Sequence, residues 1–119
     1  MKKGCLFLLV FPFFMSNLWA KHHTVDLTVG YDTVNFTGNP ARAITVNHQI
    51  PAPTLRFKEG DTITLNVHNH LDKETAIHWH GIILPWQMDG VMNITQKGIP
   101  PGETFRYHYT LRQFSKSSF

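Results

Sequence analysis

Short segments that alternate polar and apolar residues constrain the fold of this chain more than any other feature. Residues 24–29, 62–68 and 105–112 each alternate in this way. A period of two matches a β-strand with one buried face, and no window of about 11 residues keeps the period of a helix. The sequence therefore predicts an all-β fold.

Turn-forming residues separate these segments. Residues 37–40 contain Gly38 and Pro40, and residues 100–102 read Pro-Pro-Gly, which favours a tight turn. Residues 50–53 contain two prolines, which lack the N–H donor that a central strand needs. Strands at intervals of about ten residues favour a β-sandwich or barrel, and we also predict a strand over residues 77–83.

The first twenty residues have the composition of a secretory signal peptide. Lys2 and Lys3 precede an apolar run over residues 6–14, and a small residue, Ala20, ends the segment. The apolar run is too short to cross a bilayer. We therefore predict that residues 1–20 are a signal peptide and that the protein is exported, to the periplasm or beyond, without a stable membrane anchor.

Removal of this segment changes what the charge of the chain implies. The whole chain has 11 basic and 8 acidic residues, for a net charge of +3. Loss of Lys2 and Lys3 leaves 9 basic residues and a charge of +1, so a nucleic-acid partner has little support. The single cysteine, Cys5, is lost as well, which leaves no disulfide and no thiolate ligand. The remaining length suits one small domain.

One pair among the eight histidines stands out, in the run His78-Trp79-His80-Gly81. Residues two apart on a strand point the same way, so we expect the two imidazoles on one face about 7 Å apart. That separation suits two neighbouring metal ions better than one. Imidazole binds copper, zinc, iron and nickel, so the pattern alone does not choose the metal. Two half-buried, hydrogen-bonded histidines without a metal fit the pattern equally well.

The other histidines lie near the start of the exported chain, beside turns or on polar strand faces: His22, His23, His48, His68, His70 and His108. We expect His22 and His23 to belong to a disordered tip, where such a pair can bind Cu(II) adventitiously. We expect His68 and His108 to be exposed rather than to bind a metal.

A longer set of motifs resembles the first domain of multicopper oxidases, most closely that of the bacterial copper-resistance oxidases. The similarity extends from about Val29 to Gln113 and implies a cupredoxin-like Greek-key β-sandwich with copper as its cofactor. The motifs that carry it are residues 44–55, 59–62, 78–81, 83–91 and 95–97.

The resemblance implies separate roles for three residues. It makes His78 a ligand of the type 2 copper and His80 a ligand of one type 3 copper. Asp89 stands where the family has an acid that helps to deliver protons to reduced oxygen near the copper cluster. From the residues alone, Asp89 followed by Gly90 is equally well a turn.

After Gln113 the family continues into a second His-x-His motif, whereas residues 114–119 follow a different pattern. We therefore expect residues 21–113 to form an incomplete N-terminal multicopper oxidase domain and residues 114–119 to form a divergent tail. The type 1 copper site requires a cysteine thiolate, which the exported part lacks. Such a fragment would be inactive alone, because it has two of the cluster's ligands and no site at which electrons enter. O2 and a reducing substrate would be partners of the full-length enzyme only.

Two other interpretations stay open at this point. One is a small exported protein that sequesters copper through His22, His23, His78 and His80. The other is a β-sandwich interaction domain without a metal, in which the histidines are incidental.

Overall fold

The computed structural model describes residues 19–113. The tail over residues 114–119 and nearly all of the predicted signal peptide over residues 1–20 lie outside this part of the chain. The described residues form four strands and one short 3₁₀ turn, in agreement with the predicted all-β fold. The elements are β1 (His22–Val34), β2 (Ala41–Val46), β3 (Thr62–Asn69), the turn Trp86–Met88 and β4 (Thr104–Thr110).

The four strands form one mixed sheet in the order β2-β1-β3-β4. β1 runs antiparallel to β2 and parallel to β3, and β3 runs antiparallel to β4. The register places Leu65 of β3 between Val25 of β1 and Tyr107 of β4. The central strands are therefore β1 and β3, and their hydrogen bonds hold residues of three strands in fixed positions.

The core lies on one face of this sheet. Alternation along β3 buries Ile63, Leu65 and Val67, which are at most 1% exposed. Irregular segments between the strands cover this face with further apolar side chains. These are Leu55, Phe57, Ile77, Trp79, Leu84 and Met88. The opposite face is polar, as the alternation predicts.

The structure corrects two sequence predictions. Residues 77–83 do not form a strand, because their backbone donors find other acceptors and the chain turns at Gly81, where φ is +76°. The N–H of Ile77 donates to the Tyr107 hydroxyl, and the N–H of Trp79 donates to the Asp89 carbonyl. The predicted disordered tip was also wrong, because His22 and His23 are the first residues of β1.

Asp61 joins the start of β1 to the turn before β3. Its buried carboxylate accepts hydrogen bonds from the backbone N–H of Lys21 at 3.0 Å, the backbone N–H of Lys58 at 2.9 Å and Nε2 of His23 at 2.9 Å. The Lys21 N–H, followed by the Lys58 N–H, lowers the pKa of Asp61 from 3.8 to about 2.

We expect Asp61 to make the stability of the protein depend on acid pH. Its pKa is lower in the folded than in the unfolded chain, so its contribution is complete above pH 3.8 and is lost as the pH falls toward about 2. Asp61→Asn should destabilise the protein at neutral pH and flatten the stability curve in that window. Urea midpoints measured across the pH range test this, with Glu59→Gln as the control for an exposed neighbouring carboxylate. A slope unchanged by Asp61→Asn would contradict the assignment.

Candidate metal centre

His78 and His80 lie on the segment between β3 and β4, against the buried face of the sheet. Trp79 packs edge-on against Tyr107, with ring centroids 5.4 Å apart, and lies 6.3 Å from the ring of Tyr109. Because Trp79 points into the core, the two flanking histidines are exposed at the surface. The two histidines are exposed together, in agreement with the prediction that they share one face.

The two imidazoles lie closer together than a regular strand would place them. Their centroids are 5.6 Å apart and their planes meet at 79°. The expectation of about 7 Å assumed a regular strand, whereas the chain turns at residues 80–81. The structure therefore brings the two predicted ligands together as an exposed edge-to-face pair.

A hydrogen bond decides which nitrogen of His78 is available to a metal. Nδ1 of His78 lies 2.8 Å from the backbone oxygen of Asp89. A carbonyl oxygen only accepts, so Nδ1 must carry the proton and donate it. In the neutral ring, Nε2 then keeps its lone pair, which is the form in which imidazole binds a metal ion. The residues present thus fit a transition-metal ligand at His78.

Asp89 approaches His78 a second time through its side chain. Its Oδ1 lies 3.5 Å from Nδ1 of His78, and both side chains are partly exposed. The structure thus brings Asp89 and His78 together. The role of Asp89 in proton delivery stays a prediction.

Gly90 makes this approach possible, and the sequence analysis missed its importance. A Cβ atom at Gly90 would lie 1.7 Å from the carbonyl oxygen of Ile77 and 3.2 Å from Cα of His78, and the φ of Gly90 is +77°. The backbone at residues 89–90 therefore crosses directly over the backbone at residues 77–78. The Asp-Gly pair in the sequence indicates a positive φ, but it gives no sign of this close crossing.

Tyr107 ties the segment that carries the histidines to the sheet, and the sequence analysis missed this role as well. Its buried hydroxyl accepts the N–H of Ile77 at 3.3 Å and Nε2 of Gln96 at 3.0 Å. Burial raises the pKa of Tyr107, so the hydroxyl stays neutral. A residue of β4 therefore positions the chain immediately before His78.

A cleft of about 720 Å³ opens beside His78. Its walls come from the sheet and from the segments that cover it, and most of the lining side chains are apolar. They include Leu27, Leu55, Phe57, Leu65, Ile77, Trp79 and Tyr109. His78 thus lines a mostly apolar cleft and is itself exposed.

The remaining histidines lie elsewhere, and some of them pair with carboxylates. His23 donates to Asp61, and His68 donates to Asp26. Within residues 19–113, no group of three or more His, Cys, Asp and Glu side chains is placed to hold a metal ion. The four histidines considered for copper sequestration therefore do not form one site in this part of the chain.

The fold and the exposed imidazole pair define a class of protein, namely an all-β domain whose irregular loops present a pair of exposed histidines. A family model described as Multicopper oxidase matches residues 28–119. The chain therefore belongs to the multicopper oxidase family, and copper is the cofactor of that family, as predicted.

Individual relatives support the same assignment. The chain is 52% identical to Copper resistance protein A of Escherichia coli and 53% identical to a Copper resistance protein A homolog of Pseudomonas syringae pv. tomato, over 88 residues in each case. These matches cover 74% of this chain but 14% and 15% of the two relatives. The chain thus spans about one seventh of their length.

Solved structures confirm the cupredoxin-like β-fold. A multi-copper oxidase from Pseudomonas thermotolerans and a blue copper oxidase from Nitrosomonas europaea each superpose with a TM-score of 0.73 at 35% identity. Each match covers 78% of this chain, and 23% and 30% of the respective structures. Residues 19–113 contain no helix long and apolar enough to span a membrane.

Proposed function

We propose that this chain supplies two copper ligands to a copper-resistance multicopper oxidase, His78 to the type 2 copper and His80 to a type 3 copper. The observation that carries the proposal is the hydrogen bond from Nδ1 of His78 to the Asp89 carbonyl at 2.8 Å. It leaves Nε2 of an exposed ring free to bind a metal. Similarity to two copper resistance proteins over most of the chain supports copper as the metal.

Bound copper would supply the redox chemistry, which in the full-length enzyme couples one-electron oxidation of a reducing substrate to four-electron reduction of O2. The residues of this chain would prepare the ligands. The Asp89 carbonyl fixes the tautomer of His78. Trp79 packs against Tyr107, so the imidazoles of His78 and His80 face outward. The Asp89 carboxylate, 3.5 Å from His78, is placed to hold a proton close to the metal.

We further propose that the chain does not catalyse oxidation by itself. Residues 19–113 offer two ligands at this site and contain no cysteine for a type 1 copper. On this proposal, residues 21–113 are the first, incomplete domain of a larger oxidase, residues 114–119 are a divergent tail, and residues 1–20 are a signal peptide that is removed on export. The remaining ligands, O2 and the reducing substrate belong to the full-length enzyme.

The sequestration hypothesis has less support than the oxidase hypothesis. It requires His22 and His23 to act with His78 and His80. However, His23 donates to the buried Asp61 carboxylate, and His22 contacts Thr64 of β3. We therefore test whether copper binds at His78 and His80 without His22 and His23.

Equilibrium dialysis of the full chain with Cu(I) and Cu(II) tests the proposal. We expect the double variant His78→Ala/His80→Ala to lose copper binding at this site. The fall in copper affinity should exceed the roughly 10–100-fold that is typical when an outer partner of a metal ligand is removed. The matched control is His68→Ala/His70→Ala, which removes the other His-x-His pair at the same sequence spacing.

Two outcomes would contradict the proposal. An unchanged affinity together with an unchanged amount of copper bound in the His78→Ala/His80→Ala variant would show that copper does not bind at this pair. Equal losses in the test variant and in the control would mean that copper binds to surface histidines without preference.

A further inference from the structure

A second pair of histidines converges on the opposite face of the sheet. His22 lies at the start of β1 and His108 lies on β4, and both reach Thr64 on β3, the strand between them. Nε2 of His22 and Nδ1 of His108 are each 2.9 Å from the hydroxyl oxygen of Thr64. His108 alternates with the buried Tyr107 and Tyr109, so its side chain lies on the polar face, away from His78.

The shared hydroxyl has a single proton for two rings. If Thr64 donates to one imidazole, the other imidazole must donate its own N–H to the Thr64 oxygen. One imidazole therefore directs a lone pair, and the other directs an N–H, toward the Thr64 hydroxyl. The hydroxyl donates one hydrogen bond and accepts the other, so it satisfies both rings. A cation could replace the hydroxyl as the partner of both rings, because each neutral ring has a tautomer that directs a lone pair to that point.

The geometry of this pair is close to that of the His78 pair. The ring centroids of His22 and His108 are 5.9 Å apart, and their planes meet at 86°. Copper- or zinc-type bonds to imidazole are about 2.0–2.1 Å long, so the two nitrogens must come to within about 3–4 Å of each other. Both histidines are exposed, so side-chain rotation can bring the two nitrogens this close together without moving the backbone.

The backbone beneath the pair is rigid. His108 lies directly opposite Thr64, and His22 lies opposite Thr62, in continuous strand pairings. Threonines flank the pair on this face, and Thr62 hydrogen-bonds Thr110 at 3.2 Å. Arg106 lies two residues before His108 on the same face, and its Nε donates to Asn66. The three strands thus hold the backbone beneath the two imidazoles in fixed positions.

We propose that His22 and His108 form a second transition-metal site on the polar face of the sheet, in which a divalent ion is bound by the two imidazoles and completed by water. Cu²⁺ is the ion of choice for the test because it leads the order of divalent-metal affinities for nitrogen ligands. The site is separate from His78 and His80 and does not depend on their role.

Calorimetric titration of the full chain with Cu²⁺ tests this site in the His78→Ala/His80→Ala background, which removes the first site. We expect one Cu²⁺ to remain bound, and we expect His22→Ala and His108→Ala, each added separately, to weaken it by about tenfold or more, equivalent to about 1.4 kcal/mol. Electron paramagnetic resonance should show two nitrogen ligands in the background variant and one fewer in each additional variant. The control is His68→Ala, which removes a histidine of the same face that hydrogen-bonds Asp26 instead.

The two added substitutions must act alike for the proposal to hold. Loss with His22→Ala but not with His108→Ala would assign the copper to the start of the chain. No loss with either substitution, or an equal loss with His68→Ala, would overturn the site. Circular dichroism of each variant separates loss of a ligand from loss of the fold.

Discussion

Replacement of Gly90 by alanine should abolish copper binding at His78 and destabilise the protein by more than about 4 kcal/mol, a magnitude reserved for severe steric or polar disruption. The added Cβ would lie 1.7 Å from the carbonyl oxygen of Ile77, and a backbone atom cannot rotate out of the way. Relief requires residues 89–90 to move off residues 77–78. That movement breaks the hydrogen bond from His78 to the Asp89 carbonyl.

Gly102→Ala is the matched control, because it separates the clash from backbone strain. Gly102 has a φ of +78°, nearly the same as the +77° of Gly90, but a Cβ at Gly102 meets no atom within 4 Å. Gly102→Ala should therefore cost only the strain of a left-handed residue, about 1–2 kcal/mol. Urea denaturation and copper dialysis of both variants make the comparison. Equal losses of stability would show that the crossing over Ile77 is not a tight contact.

Truncation of Tyr107 should have the second largest effect. Tyr107 is fully buried, and Tyr107→Ala should cost about 3–5 kcal/mol, as for other buried aromatic residues. Tyr107→Phe keeps the ring but leaves the N–H of Ile77 and the amide of Gln96 without their acceptor, so it should cost about 1–3 kcal/mol. Because Ile77 precedes His78, Tyr107→Phe should also weaken copper binding.

The control for the hydroxyl is Tyr109→Phe. Tyr109 is also buried on the same face of β4, but no hydrogen bond from its hydroxyl is found within residues 19–113. Tyr109→Phe should therefore change the free energy of unfolding much less than Tyr107→Phe does. If the two Phe variants unfold at the same urea concentration, the Tyr107 hydroxyl does not anchor the metal-site segment.

The strands could be predicted because the alternation of polar and apolar residues is a local feature of the sequence. The alternation over residues 24–29, 62–68 and 105–112 marks β1, β3 and β4, since each strand buries one face against the same core. β1 nevertheless continues to Val34, beyond the alternating residues, because β2 pairs with its second half. Strand pairing is a long-range interaction that a local pattern does not contain.

The segment around His78 was harder to predict for the same reason. Its apolar residues suggested a strand, yet its backbone donors are taken up by Tyr107, 30 residues away, and by Asp89. The histidines at the start of β1 were likewise placed in a disordered tip. The carboxylate that orders His23 comes from Asp61, 38 residues along the chain.

The sequence by itself determined the all-β class, the family motifs and the pair of candidate ligands His78 and His80. These follow from residue type and from the period of a strand. Only the tertiary structure decided that Nε2 of His78 is the free nitrogen and that His22 meets His108 across β3. The position of a proton on an imidazole depends on the acceptor beside it, and here that acceptor reaches His78 because Gly90 lets two distant parts of the backbone cross in contact.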